Sequence, residues 1–508
     1  MIKTVGTLTT IGMFDRVSFA GNKAPKPNIL LIHTDQHRME CLGAYGNKDI
    51  QTPNIDKLAS EGVLYHQSFC TLPICAPSRH SLISGMYVHE HKGWINGSTL
   101  NPEIRTFPDI LRQAGYKTAA IGKMHFTPTY LDVGFERLIL AEQAGPGRWD
   151  DDYHRDLMKN GLVDRLDLED QVGEYRKNAN EEYFASYGTR VTNLPDEFYS
   201  TNWIARRALQ ELQEWDESGN MLMVGFIKPH HPFDPPQKWA ELYAPDSLDL
   251  LPGWIEESLP YDLEENKGYF PNKELKKEAV KKTMAYYYAA ITQIDYEVGR
   301  MVDLLKSKGL YDNTMIIYTS DHGEHMGYHH QLLKHGYLYE SIMKVPLIIK
   351  FPEGLNRGLE NNDLVSNIDV APTILKVAGL PAPETMSGQD LSQNNIKREY
   401  VFAHNEMARQ AMARSKEFKL ILNYRGRSLF FDLRNDPLEM NNLYEEPSFE
   451  AKIREFREAI YDWQGGDTIQ AEIYLDYDAP IIEQPDVPNR YDHHREEMQK
   501  YFKKKMLS

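Results

Sequence analysis

The chain has 508 residues, 41% of them hydrophobic, enough to give one large domain and a smaller one a core each. Its 74 acidic side chains outnumber 57 basic ones for a net charge of −17, which argues against binding nucleic acid through phosphate neutralisation and leaves recognition of an anion to a local basic pocket. No stretch approaches the roughly 20 apolar residues that span a bilayer, so no integral membrane association is predicted. The three cysteines, Cys41, Cys70 and Cys75, are too few and too clustered for a disulfide framework, so one of them needs another explanation.

Residues 1–24 read as a weak export signal or an N-terminal extension: Lys3 is the only early charge, Val5 to Phe14 is mildly apolar, and Ser18-Phe19-Ala20 has the small-x-small form of a cleavage site. The expected location is therefore periplasmic or secreted. From Pro27 short β-like runs alternate with helical patterns, the signature of an α/β sheet. Asn28 to His33 is the first strand, and Thr52-Pro53 opens a helix with Ile55, Leu58 and Ala59 on one face and Gly62 at its end. Thr106 caps a second helix that stops at Gly115 and leads into a strand at Thr118 to Ile121. Residues 145–194 are highly charged and lack clear periodicity, as expected of a long insertion over one end of the sheet.

Further strands are predicted at Met221 to Ile227, Met315 to Thr319 and Val345 to Phe351, with a long helix from about Lys273 to Lys308. After about Lys397 the pattern changes to short alternating strands (Tyr400 to Ala403, Gln410 to Arg414, Lys419 to Leu422, Leu429 to Leu433) and a helix near Phe449 to Trp463, a small antiparallel α+β subdomain. The last 45 or so residues, rich in Asp, Tyr, Pro and Lys, are expected to wrap over the surface or fray. The organisation expected is thus an extension at 1–24, a large α/β domain at 25–396, and a subdomain with its tail at 397–508.

The most informative stretch is Cys75-Ala-Pro-Ser-Arg79-His-Ser-Leu82-Ile-Ser-Gly85. Cys75 precedes a helix predicted to start near Pro77 or Ser78, and Arg79 falls one turn further on; a helix N-terminus and a guanidinium together favour an anionic nucleophile or a bound oxyanion. Cys-x-Pro-Ser-Arg followed by x-x-Leu-x-x-Gly resembles the signature of type I sulfatases of the alkaline phosphatase superfamily, in which this cysteine is oxidised to formylglycine. The resemblance implies a large mixed, mostly parallel sheet sandwiched by helices, and runs from about Pro27 to Leu443.

Two strand ends supply its context. Ile29 to Ile32 leads to Asp35-Gln36 and Met315 to Tyr318 leads to Asp321-His322, and loops at the carboxyl ends of parallel strands are where such sheets build sites. With residue 75 these side chains form a candidate site for one divalent cation such as Ca²⁺, mostly through hard oxygen donors; His322 is the odd member, since nitrogen suits softer metals. Relatives commonly have Asp-Asp at the first pair. Gln36 departs from that, as in some sulfatases and in the related phosphonate monoester hydrolases, and keeps phosphonate or phosphate ester hydrolysis open as an alternative.

Other segments match the family in order. Gly122-Lys123-Met-His125 resembles the element whose lysine binds sulfate and whose histidine contacts the formylglycine hydrate. Pro229-His230-His231-Pro-Phe233 resembles the element in which His230 contacts the sulfate and the leaving oxygen, with His231 next to substrate or in a packing role. Lys334-His-Gly336 resembles the segment that delivers a second lysine, and Asn96 sits where some relatives place a substrate-side amide. Taken singly, each of these would more often be a solvated surface residue.

The resemblance implies a sulfatase in which the hydrated formylglycine attacks sulfur, Arg79 holds it, and Lys123, Lys334 and the cation stabilise the sulfuryl oxygens. His230, with Lys334, would protonate the departing alcohol, and His125 would serve as base in the release of sulfate. A maturation enzyme that generates formylglycine is the implied partner. A sulfated carbohydrate is the expected substrate, in keeping with polysaccharide degradation, because 30 Tyr and 7 Trp offer faces for sugars, although aromatic cores account for most of them. A non-catalytic sulfoglycan-binding relative is a third reading. Cys41 and Cys70 carry no signature and read as ordinary buried or free thiols, their pairing undecided by sequence.

Overall fold

The structure, a computed structural model, describes residues 25–143, 146–393, 396–405, 409–465 and 492–507. The export signal expected in residues 1–24 lies outside the described residues. In chain order the strands are β1 (Asn28–Asp35), β2 (Val63–Tyr65), β3 (Ser68–Phe69), β4 (Lys117–Gly122), β5 (Arg137–Leu140), β6 (Asn220–Pro229), β7 (Thr314–Ser320), β8 (Leu347–Lys350), β9 (Leu359–Asn361) and β10 (Val365–Ser366). A C-terminal set follows: β11 (Val401–His404), β12 (Gln410–Arg414), β13 (Phe418–Asn423) and β14 (Leu429–Asp432).

Eight strands form one sheet in the order β5-β4-β6-β1-β7-β8-β2-β9. All neighbours are parallel except that β8 runs antiparallel to both β7 and β2, so the sheet is mixed and mostly parallel. β1 and β6 are buried at every position, which is why they read as continuous apolar runs rather than alternating ones. One core lies on each face. The helix Lys277–Ser307 and the helix Ser200–Glu214 pack on one side through Ile291, Ile294, Val298, Trp203 and Ile204, while Phe107, Leu111, Ile374 and Leu375 fill the other. β11 to β14 form a separate antiparallel sheet in sequential order, covered by the helix Glu450–Trp463 through Ile453, Phe456 and Ile460.

Several expectations are corrected. The strand predicted at Val345 to Phe351 is shorter and antiparallel. The insertion, which was expected to lack regular structure, folds into short helices at Asp152–Lys159, Arg165–Gln171, Gly173–Arg176 and Glu181–Ala185, the first with Tyr153 and Leu157 buried one turn apart. Of the two expectations for the tail, wrapping over the surface holds for its last segment, a helix at Asp492–Leu507 docked on the insertion by buried Met498 and Phe502, by the Arg495–Asp150 ion pair, and by Tyr501 Oη donating to Leu162 O at 3.0 Å. Cys41, Cys70 and Cys75 are all buried and free.

Candidate active site

Four adjacent parallel strands, β4-β6-β1-β7, end at one edge of the sheet, and each ends in a motif singled out above: Lys123 and His125, His230 and His231, Asp35 and Gln36, Asp321 and His322. The close approach of β4 and β6 at this edge requires glycine. Gly122 has φ +97°, and a Cβ there would lie 2.1 Å from Gly225 O. Gln36 and His125 hold φ of 62° and 58°, backbone strain that turns the chain sharply out of β1 and β4 at the site.

Cys75 is delivered from across this edge by the helix Cys75–Ser84. Cys75 is itself the first helical residue, not a residue preceding a helix that starts at Pro77 or Ser78. Ile74, still extended, accepts from Ser78 N at 3.1 Å, and Pro77 fits in the first turn because its missing N–H would have had no partner there. Two contacts orient the helix: Ser78 Oγ donates to Asp321 O at 2.6 Å, and the side-chain oxygen of Asn96 accepts from Ala76 N at 3.0 Å. The oxygen of Asn96, expected on the substrate side, is thus engaged by the helix N-terminus, with the residue otherwise exposed.

Asp35, Cys75, Asp321 and His322 bring their ligand atoms within 4.8 Å of one another. His322 Nδ1 donates to Gly323 O at 2.9 Å, leaving Nε2, in the neutral ring, with a lone pair 3.4 Å from the Cys75 sulfur. Gln36 N donates to Asp321 Oδ1 at 3.0 Å, and Gln36 Oε1 is buried without a hydrogen-bond partner. Two carboxylates and an orphaned amide oxygen fit a hard divalent cation of the Ca²⁺ class, and His322 adds the nitrogen anticipated above.

Cationic side chains enclose this group. Arg79 Nε and Nη2 reach Asp321 and Asp35 at 3.0 and 3.2 Å, and Nη1 donates to Lys123 O at 2.5 Å. Lys123 Nζ lies 2.7 Å from Asp35. Lys334 Nζ sits 3.0 Å from the Cys75 sulfur, 3.0 Å from His322 Nε2 and 3.3 Å from His230 Nε2. Burial raises the Cys75 thiol, but Lys334 and Lys123 outweigh it and hold the group well below its ordinary value, so an anion is favoured at this position. The carboxylates divide: burial and the Cys75 sulfur push Asp35 up, yet Lys123, His230 and Arg79 hold it well below the usual range, whereas burial and the neighbouring Asp35 push Asp321 up to about 6.

The open side of the site is marked by exposure. Asp35, Gln36, Arg79, Asp321 and His322 are 0% exposed, while His230, His231, Lys334 and His125 show 5–8%. His125 and His230 also help hold the Cys75 thiol below its ordinary value. His230 Nδ1 donates to His231 O at 2.7 Å, which turns its Nε2 toward Lys334. All the catalytic and metal-site side chains expected from sequence therefore meet in one place, and His231 lines the mouth.

Functional supports that the sequence did not reveal come from the insertion and its entry. Asp170 Oδ2 accepts from His231 Nδ1 at 2.6 Å, Gln143 Nε2 donates to His231 O at 2.8 Å, and Glu142 Oε1 accepts from Met124 N and His125 N at 3.0 and 2.9 Å. Glu324, one residue beyond Asp321-His322-Gly323, accepts from Gln36. Asp170, Gln143 and Glu142 lie in no recognisable pattern; Glu324 adjoined a motif and was the only one of the four with a signal.

The family model described as Sulfatase matches residues 27–380. The chain belongs to the sulfatase family. A second model, for the N-sulphoglucosamine sulphohydrolase C-terminal region, matches residues 327–465. An arylsulfatase of Clostridium perfringens is 29% identical over 461 residues, covering 86% of this chain and 94% of its own. An N-acetylglucosamine-6-O-sulfatase of Bacteroides thetaiotaomicron is 26% identical over 504 residues, covering 86% of each. Among solved structures, a phosphonate monoester hydrolase of Agrobacterium radiobacter superposes with TM-score 0.72 at 22% identity, covering 87% of this chain and 96% of its own. A structure in complex with its substrate D-glucosamine-2-N,6-O-disulfate gives 0.69 at 22%, covering 90% and 100%. These two show the same alkaline-phosphatase-like fold. This sulfatase is accordingly a sulfuric ester hydrolase, and among its described residues no helix is long and apolar enough to cross a membrane.

Proposed function

We propose that this sulfatase hydrolyses a sulfate ester of a carbohydrate, using formylglycine made from Cys75 and one divalent cation, Ca²⁺ by its donor set. The observation that carries the reading is the placement of the residue 75 side chain, 3.0 Å from Lys334 Nζ and 3.4 Å from His322 Nε2 beside two buried carboxylates, where an unmodified thiol has no evident use. The sulfur stands in for the oxygens of the matured residue. Support for a carbohydrate comes from relatives named for such substrates, the N-acetylglucosamine-6-O-sulfatase and an ulvan-active sulfatase of Formosa agariphila, 27% identical over 443 residues.

Formylglycine, once hydrated, supplies a hydroxyl nucleophile and a second hydroxyl whose deprotonation releases sulfate. The cation would be held by Asp35, Gln36, Asp321 and His322, and supplies positive charge that eases deprotonation at residue 75 and offsets charge on the ester. The chain's own groups do the rest. Arg79 locks both carboxylates in place, while Lys123 and Lys334 give the sulfuryl oxygens fixed cations in a nearly water-free pocket. His230 Nε2, left with a lone pair by the bond from Nδ1 to His231 O, faces the entrance 3.3 Å from Lys334 Nζ, takes a proton from that ammonium and passes it to the departing alcohol; His125 takes a proton from residue 75. A formylglycine-generating enzyme is the required partner, and residues 1–24 support export to the periplasm or beyond.

A phosphonate monoester is a second reading. Like a sulfate monoester it is a tetrahedral monoanion, so this pocket's charge does not separate them, and the likeness to a phosphonate monoester hydrolase concerns the same fold. The test is sulfate release from a panel of sulfated oligosaccharides beside a phosphonate monoester, with protein co-produced with a formylglycine-generating enzyme and Cys75→Ala as control. Sulfate release that vanishes in the variant is expected; turnover of the phosphonate alone would move the assignment.

A further inference from the structure

Glu324 is fully buried and carries three hydrogen bonds, all accepted. Its Oε2 takes Gln36 Nε2 at 2.5 Å, and its Oε1 takes Met326 N at 2.9 Å and Leu333 N at 2.5 Å. The first bond fixes a choice that Gln36 cannot make alone. An amide side chain has a donor end and an acceptor end of nearly equal size, and a carboxylate only accepts, so the nitrogen must face Glu324. The oxygen is then turned the other way, where it is buried and has no partner in the protein, on a residue whose own N–H binds Asp321. The other two bonds close the turn between Glu324 and Leu333, immediately before Lys334, whose Nζ lies 3.0 Å from the Cys75 sulfur. One carboxylate therefore touches both halves of the site.

We propose that Glu324 is a positioning residue that sets the polarity of the Gln36 amide, presenting Oε1 rather than Nε2 to the cation, and that couples this setting to the Lys334 turn. It rests on the cation reading above. The requirement arises from Gln36 itself: a carboxylate at position 36 would offer an oxygen whichever way it turned, whereas a neutral amide needs a neighbour to hold it. Glu324→Gln retains size and one oxygen. That oxygen stays with the two N–H groups of Met326 and Leu333, because reversing it would lose two bonds to save one. The new NH₂ then faces Gln36 Nε2, and Gln36 relieves the conflict by flipping its own NH₂ toward the cation. Gln36→Glu combined with Glu324→Gln restores the match with the donor and acceptor exchanged and the total charge conserved.

The experiment measures Ca²⁺ binding by calorimetry, and the rise in melting temperature on adding Ca²⁺, for the full chain and for Glu324→Gln, Gln36→Glu and the double variant. Melting curves in chelator check that each folds. The expected result is Ca²⁺ affinity about 10- to 100-fold weaker in Glu324→Gln, with a smaller thermal shift, and recovery of most of both in the double variant. Wild-type affinity in Glu324→Gln, or a double variant no better than the single, would overturn the proposal while leaving the cation reading intact. A wild-type chain that takes up no Ca²⁺ would overturn both.

Discussion

Asp170 and His231, 61 residues apart in the chain, meet across a 2.6 Å hydrogen bond at the mouth of the site. The carboxylate accepts, so His231 Nδ1 carries a proton and Nε2 is left for the pocket. Burial raises Asp170, but His231 and the hydroxyl of Tyr183 lower it to about 2, so it is ionised throughout the working range.

If Asp170 acts through His231, Asp170→Asn and His231→Ala should each lower kcat/KM on the carbohydrate ester, by about 10- to 100-fold for a misplacement of this kind. The double variant should be no worse than His231→Ala alone. Steady-state kinetics on the four proteins decides it, since independent losses would multiply.

Cys75→Ala is expected to abolish turnover with little change in melting temperature, because the side chain removed is small and Arg79, Lys123 and Asp35 keep their mutual contacts. Mass spectrometry of the peptide spanning residue 75 in wild-type protein should show the lighter aldehyde form. Substantial activity in the alanine variant would eliminate the mechanism.

Asp295 accepts from Ile55 N at 2.7 Å and from Asn54 Nδ2 at 2.8 Å, anchoring the helix Pro53–Glu61, and burial pushes its carboxyl up to about 6. An unfolded chain protonates this group near about 4, so between these values the native state binds the proton more tightly. The group's contribution is therefore greatest below that window and is lost as pH rises through it. The stability of Asp295→Asn relative to wild type should accordingly rise from pH 4 to pH 6, by on the order of 3 kcal/mol at most. Urea unfolding at several pH values measures it, and a constant difference would refute it.

Phe502 is 0% exposed and packs its ring 5.9 Å from those of Trp149 and His154. Phe502→Ala should cost about 3–5 kcal/mol in the stability of the docked helix Asp492–Leu507 and expose it to protease. Limited proteolysis that leaves the C-terminus as resistant as in wild type would show that the docking does not depend on this ring.

Much of the architecture was legible because its signals are local. Strands buried on both faces must be apolar throughout, and the sulfatase motifs sit within a few residues of strand ends, so Asp35, Lys123, His230 and Asp321 could be placed from short windows. The insertion and the tail were not legible. The insertion's helices are short, the 16-residue tail helix has only a weak apolar face, and both are held by contacts with distant parts of the chain such as Asp150 with Arg495.

The sequence by itself determined the family and the motifs at the ends of β1, β4, β6 and β7, because each depends on residues contiguous in the chain. Only the tertiary structure decided that Cys75 begins its helix, that Asn96 gives its oxygen to Ala76 N, and that Asp170 and Glu324 hold His231 and Gln36. Those facts are hydrogen bonds between groups that folding brings together, and the direction of a bond between two buried side chains is set by where the backbone carries them.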